Sequence, residues 1–223
     1  MSTARYRSDY DGEFILLDTK LVDGKKVQER EWIDNPLEID HRSPRAVVIG
    51  SDVDRLQFDY KLLEDHVGGL RGCLSLQTYG VGELTADMRL DFAVDTDYNN
   101  IIPLVESGYA EKNVVYTTAR NCIKSPGEFY LIPLNPHFCT TVLPIYLAAF
   151  DGHKEIFLLG VDGTTKEHHI DHKHVIDIKQ VLEAYPNTKF YFVTDGANPY
   201  DEWRSFRNAE VIDYRQFILH CDV

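Results

Sequence analysis

A cluster of histidines is the part of the sequence best suited to acid–base or metal chemistry. Two members, His168 and His172, have the i, i+4 spacing of a metal-ligand pair on a helix. A single member with a pKa near neutrality would instead act as a base that removes a proton from a substrate hydroxyl. Residues 164–171 have no helical apolar pattern, so we expect a loop, in which plain solvent exposure is the third interpretation. The cluster consists of His168, His169, His172 and His174.

Carboxylates mark the ends of two predicted strands. Asp95 and Asp97 stand at the end of the strand predicted at 90–95, and Asp162 follows the apolar run at 155–160. A carboxylate pair at a strand end holds a metal or a ribose, or else caps the helix predicted at 98–107. Asp162 lies where α/β folds place groups that face a ligand.

The elements that must position these groups lie within residues 140–179. Apolar and small residues from Ile145 to Phe150 predict a helix, and Gly152 is the residue type expected just past its end. The run at 155–160 is nearly continuously apolar, which is typical of a strand covered on both faces of a parallel sheet. A second helix is predicted at 176–185.

The remaining chain alternates strands and helices in the manner of an α/β domain. Its first unit is a buried strand at 45–50, a loop at 51–54 and a helical pattern through Leu63. The acids Asp52 and Asp54 weaken a phosphate cradle there, and a turn capped by Ser51 or Asp52 fits equally well. Further strands are predicted at 72–78, 113–117, 128–132, 189–193 and 209–212. The predicted fold is α/β, with a single Rossmann-like, doubly wound, mostly parallel sheet over residues 45–223.

An N-terminal arm precedes this domain. Residues 1–12 are polar and predict no element. The Asp23-Gly24 turn between β-compatible residues predicts a β-hairpin at 13–33. Asn35-Pro36 and Ser43-Pro44 punctuate a linker, so we place the arm at 1–44. The hairpin either covers a sheet edge or docks a protein partner. The partner includes the case of a second copy of the chain, which would make a homo-oligomer.

Composition narrows the function classes. The 223 residues carry a formal net charge of −13, which argues against a nucleic-acid partner. No apolar run approaches a membrane span and the N-terminus is polar, so we expect neither a membrane anchor nor a signal peptide. The cysteines form no C-x-x-C pair, which fits a reducing compartment and gives no zinc signature. They are Cys73, Cys122, Cys139 and Cys221.

The motif GHKEIFLLGVD at 152–162 resembles the L-G-Y-K-E-I-Y-L-x-G-x-D strand of family 42 bacterial sialyltransferases and of pterin-pyrophosphokinase-like domains. Thr140-Thr141 stand where those families open a helix with Thr-Ser-Gly, and His172 precedes Asp177-Ile178-Lys179 as their histidine precedes D-I-K. The chain also resembles small glycosyltransferase-like proteins of tailed bacteriophages. In those the start G-N-G-x-S-R-L corresponds to the segment from Gly50 to Leu56, and F-Y-x-V to residues 190–193.

The resemblance implies a metal-independent, inverting transferase that uses a nucleotide-activated sugar and needs no cofactor. His172 would be the base, and Asp95 or Asp97 would lie near the ribose or the acceptor. The donor site it implies consists of Gly50, Ser51, Asp54, Thr140, Thr141 and Asp162.

The chain departs from the motifs on the donor side. Gly50-Ser51-Asp52 replaces G-N-G, Val81-Gly82 replaces the asparagine after T-Y-G, and Val142 follows the two threonines. An added charge at Asp52 would repel a phosphate. The alternative function is therefore a non-catalytic binding or structural component, for example of a bacteriophage particle. We expect the host cytoplasm for an enzyme and the virion for such a component.

Overall fold

A computed structural model describes residues 3–7, 13–34, 43–50, 63, 76–125, 127–133, 136–161, 170–194 and 201–221. Within these residues, eleven strands form one sheet in the order β11-β10-β9-β4-β5-β6-β7-β8-β1-β2-β3. Neighbours from β11 to β1 are parallel, and β1-β2-β3 is antiparallel. The strands are β1 (Thr3–Arg7), β2 (Glu13–Val22), β3 (Lys25–Asp34), β4 (Arg45–Ile49), β5 (Gln77–Val81), β6 (Phe92–Val94), β7 (Val114–Thr117), β8 (Tyr130–Leu131), β9 (Glu155–Leu159), β10 (Lys189–Thr194) and β11 (Ala209–Asp213).

Helices cover both faces of the parallel part of the sheet. Alternate residues of the buried strands point to opposite faces, so Val48 joins one hydrophobic cluster and Val47 the other. α3, α4 and the 3₁₀ helix at Asp201–Ser205 supply residues to the first cluster, and α1, α2 and α5 to the second. This arrangement confirms the predicted doubly wound α/β fold. The helices are α1 (Tyr98–Glu106), α2 (Ala119–Lys124), α3 (Leu143–Phe150), α4 (His172–Ala184) and α5 (Tyr214–Cys221), with a further 3₁₀ helix at Gly82–Ala86.

The predicted N-terminal hairpin is present as β2 and β3. Asp23 and Gly24 have φ angles of 52° and 76°, the left-handed pair that a two-residue type I′ turn requires. The prediction that residues 1–12 form no element was wrong, because β1 lies between β2 and β8. The hairpin thus joins the edge of the sheet through β1. The division of the chain at residue 44 stays a prediction.

Two other expectations need correction or lie outside the described residues. α4 begins at His172, four residues before the predicted start, so His172 and His174 belong to a helix and not to a loop. Asp171 explains the early start, because its side chain accepts hydrogen bonds from the backbone of Lys173 and His174 as an N-cap. Of the helix predicted after β4, only Leu63 is described, and it is helical and buried.

Among the described residues, no helix has the length and apolar character needed to cross a membrane.

A buried polar network fastens α3 to the sheet near the N-terminal ends of β4 and β9. The Tyr79 hydroxyl donates to Asp151 Oδ2 at 2.7 Å and lies 2.9 Å from His153 Nε2. His153 Nδ1 lies 2.6 Å from the carbonyl oxygen of Ser43, which can only accept, so this nitrogen carries a proton. All of these side chains are at least nine-tenths buried. One hydroxyl thereby joins β5 to the residues that flank α3 and β9.

We expect Tyr79→Phe to lower the free energy of unfolding by about 1–3 kcal/mol, because Asp151 and His153 each lose a partner in a site that water does not reach. Urea denaturation measures the loss. Tyr98→Phe is the matched control, since it removes a hydroxyl that bonds Ser125 in a partly exposed place. Equal stabilities of the two variants would contradict the role given to the network.

Candidate functional site

The chain reverses its winding direction at β4, which is where open α/β sheets bind ligands. β5 to β8 extend the sheet on one side of β4, and β9 returns to its other side. At the C-terminal ends, Gly50 N donates to Leu159 O at 2.8 Å, and a Cβ added to Gly50 would lie 2.2 Å from the carbonyl oxygen of Gly160. Backbone packing therefore accounts for the glycine that was predicted to bind the donor.

The N-terminus of α3 lies at this C-terminal edge, because α3 connects two parallel strands and must run antiparallel to them. Thr140 and Thr141 come just before it. Thr140 Oγ1 lies 2.7 Å from Thr96 Oγ1, so it is tied to the loop that follows β6. These two predicted donor residues are thus placed together at the edge of the sheet.

Thr141 contacts His174, the partly buried histidine of α4's first turn. Thr141 Oγ1 and His174 Nε2 are hydrogen-bonded, and His174 Nδ1 lies 4.0 Å from Asp171 Oδ2. The backbone hydrogen bond from His174 is the main cause that lowers the pKa of the Asp171 carboxyl, which is therefore ionised at neutral pH. A hydroxyl, an imidazole and a carboxylate follow one another here. This is the arrangement of a catalytic base whose orientation is fixed by one neighbour and whose positive charge is stabilised by the other.

His172 lies elsewhere on the same helix. Its side chain is exposed and makes no hydrogen bond within the described part of the chain. Its charge is one of the smaller influences that lower the pKa of Asp171. The structure thus brings His174, and not His172, to Thr141, while His172 as base stays a prediction of the resemblance.

Cys139 lies beside this group, yet it is a poor nucleophile. Thr141 Oγ1 is 3.7 Å from its Sγ, and its backbone N–H donates to Asp177 Oδ2 at 2.8 Å. Burial is the main cause that raises the pKa of the Cys139 thiol to about 11, so the thiol is neutral at physiological pH. Asp177, the acid of the D-I-K motif, is itself buried and also pairs with Lys173. Its contacts give that motif a structural role, which is to hold the segment before α3 against α4.

Of the two carboxylates after β6, one is internal and one lies at the surface. Asp95 is buried and accepts from Asp97 N at 2.8 Å and Asn100 Nδ2 at 3.0 Å. Desolvation raises the pKa of Asp95, and these two hydrogen bonds oppose the rise. Asp97 caps α1 by accepting from Asn99 N at 2.9 Å. The helix-cap interpretation is confirmed for Asp97, which still lines the surface of this edge.

The other predicted site residues lie outside the described part of the chain. They are Ser51, Asp54, Asp162, His168 and His169. Among the described residues, no group of three or more His, Cys, Asp or Glu side chains could hold a metal ion.

Sequence reasoning missed Asp171 and did not single out His174. A usable signal was present, since Asp171 immediately precedes two histidines and a run with helical periodicity. With Asp171 as the N-cap, the helix begins at His172, and helical periodicity then places His174 on the buried face.

Comparison of the chain with protein-family models, with curated proteins and with solved structures found no significant match in any of the three.

Proposed function

We propose that the chain is a glycosyltransferase that uses a nucleotide-activated sugar, with a histidine from the first turn of α4 as the base. The observation that carries the proposal is the hydrogen bond between His174 and Thr141 at the C-terminal edge of the doubly wound sheet, with Asp171 beside the imidazole. A doubly wound sheet binds nucleotides at this edge, and an imidazole that is bonded to a hydroxyl and flanked by a carboxylate suits the removal of a proton from a substrate hydroxyl.

The proposed reaction is a displacement at the anomeric carbon. The acceptor hydroxyl takes the place of the Thr141 hydroxyl at His174 Nε2 and gives its proton to that nitrogen as its oxygen attacks. The bond from the anomeric carbon to the phosphate oxygen breaks, and the nucleotide leaves with the electron pair. Asp171 stabilises the imidazolium that forms, because its carboxylate already faces Nδ1.

Release of free nucleotide from a panel of cytidine, uridine and guanosine nucleotide sugars tests the proposal. We expect one donor to be turned over by the wild type, and the rate to be lost when His172→Ala and His174→Ala are combined while the donor still binds. His137→Ala, at an exposed histidine outside α4, is the control and should keep the wild-type rate. A wild type that turns over no member of the panel would refute the transferase.

A second candidate is a non-catalytic component of a larger assembly, such as a bacteriophage particle. Two observations favour it: Gly50 and Asp95 serve internal packing and hydrogen bonding, and the tip of the β2–β3 hairpin exposes apolar side chains. An exposed apolar tip is typical of a protein contact. The exposed fractions are 72% for Leu21, 49% for Val22 and 41% for Val27. This candidate predicts that no nucleotide of the panel gives heat in a calorimetric titration.

A further inference from the structure

A cleft of about 570 Å³ opens between the loops that follow β6 and β7. It lies at the same edge of the sheet as Thr140, because Thr96 lines the cleft and bonds Thr140. The residues of α2 that line this cleft belong to none of the sequence motifs predicted to bind the donor. Its lining residues are Thr96, Asp97, Tyr98, Asn99, Thr118, Arg120, Asn121 and Lys124.

Two cations line one wall of the cleft. Arg120 and Lys124 are four residues apart on α2, and therefore lie on one face of that helix. Lys124 Nζ lies 4.2 Å from the centroid of the Tyr98 ring. Within the described residues neither cation has a carboxylate partner. Two neighbouring cations that have no carboxylate partner within the described residues, in a chain with a net charge of −13, point to an anionic ligand.

Asn121 lines the cleft, and its side-chain oxygen Oδ1 is a hydrogen-bond acceptor. Its side chain is buried, and Nδ2 donates to Thr96 O at 3.0 Å and to Thr117 Oγ1 at 2.9 Å. These bonds fix the orientation of the amide. Among the described residues no hydrogen bond reaches Oδ1, and this oxygen is not fully buried. Oδ1 is therefore available to accept from a hydroxyl or amino group of a ligand whose negative charge lies at Arg120 and Lys124.

We propose that this cleft binds a phosphate ester, with the phosphate at Arg120 and Lys124 and a hydroxyl or amino group of the ester at Asn121 Oδ1. Asp97 also lines the cleft, and because its carboxylate repels a phosphate, the phosphate lies at the cations of α2. The binding of the ester stands alone, whereas its role as a substrate subsite rests on the proposed transferase. The ester is then either the nucleotide product or a phosphorylated acceptor, since both share this chemistry.

Calorimetric titration of the full chain tests the proposal with three probes: a nucleoside monophosphate, glycerol 3-phosphate and inorganic phosphate. We expect one of the two esters to bind, and Arg120→Gln or Lys124→Gln to raise its Kd about tenfold or more, because each removes a charge-assisted contact. Both side chains are exposed, so the variants should fold. Lys112→Gln removes an exposed charge outside the cleft and should leave Kd unchanged.

The two arms tell the sources apart, since preference for the nucleoside monophosphate assigns the product and preference for glycerol 3-phosphate assigns an acceptor. No saturable binding of either ester, equal Kd values in Arg120→Gln and Lys112→Gln, or inorganic phosphate bound as tightly as the esters would each overturn the proposal. Failure of the transferase has a different signature: ester binding sensitive to Arg120 with no sugar donor turned over. Turnover with an unaffected KM in Arg120→Gln leaves the transferase intact and refutes the role of the cleft as a substrate subsite.

Discussion

His174→Ala is expected to lower kcat of nucleotide-sugar turnover by about 10²- to 10⁴-fold, the range typical for loss of a general base. The substitution removes the only described histidine that is bonded to the Thr141 hydroxyl, and with it the acceptor for the proton of the attacking hydroxyl. KM for the donor should change little, because the imidazole contacts the acceptor and not the nucleotide. Initial rates at saturating donor, over a range of acceptor concentrations, measure the effect.

His172→Ala is the matched comparison, two residues away in the same helical turn. Its side chain is exposed, so we expect less than about a tenfold loss and unchanged stability. A large loss in His172→Ala with a mild one in His174→Ala would assign the base to the residue that the resemblance selects.

Gly50→Ala is expected to lower the free energy of unfolding by about 3 kcal/mol or more, the upper end of overpacking effects. The added methyl carbon would stand 2.2 Å from Gly160 O and 2.6 Å from Val161 Cγ2. The valine methyl can rotate away, but the carbonyl is part of the backbone beside β4 and cannot. Relief therefore requires β4 and the end of β9 to separate, at the cost of the bond from Gly50 N to Leu159 O.

Gly82→Ala provides the comparison for urea denaturation, because its nearest neighbour is Asp95 Cβ at 3.3 Å and a small shift relieves the contact. We expect Gly82→Ala to lower the free energy of unfolding by about 1 kcal/mol. If Gly50 were kept for the approach of a ligand phosphate, Gly50→Ala would retain its stability and lose donor binding. The measurement thus separates a packing glycine from a binding one.

Most of the parallel sheet could be predicted because its strands are buried on both faces. The apolar runs of β4, β9 and β10 need no knowledge of their partners to be recognised. β1 could not be found in this way. Its segment, Thr3–Arg7, mixes polar and aromatic residues, and the partners that make it a strand are β2 and the two-residue β8.

The candidate base shows where prediction of the site ends. Helical geometry puts residues four apart about 40° from each other, so His174 shares a face with Ile178 and His172 with Ile176. Ile178 is fully buried and Ile176 is 52% exposed. The sequence contains this information only once Asp171 is known to cap a helix that begins at His172, and the polar first turn hides that start from apolar periodicity. The spacing of the motif alone selected His172, whose side chain is exposed.

The central position of β4 has a consequence for how the protein is made. Arg45 is paired with Glu155, which is synthesised 110 residues later. At 5–20 residues per second a ribosome needs roughly 5–20 s to cover that distance. Throughout this interval one edge of β4, which is apolar from Ala46 to Ile49, stays unpaired, and such edges recruit other chains. Nascent chains that stall before β9 should therefore be the aggregation-prone species, and chaperone demand should fall once β9 has left the exit tunnel.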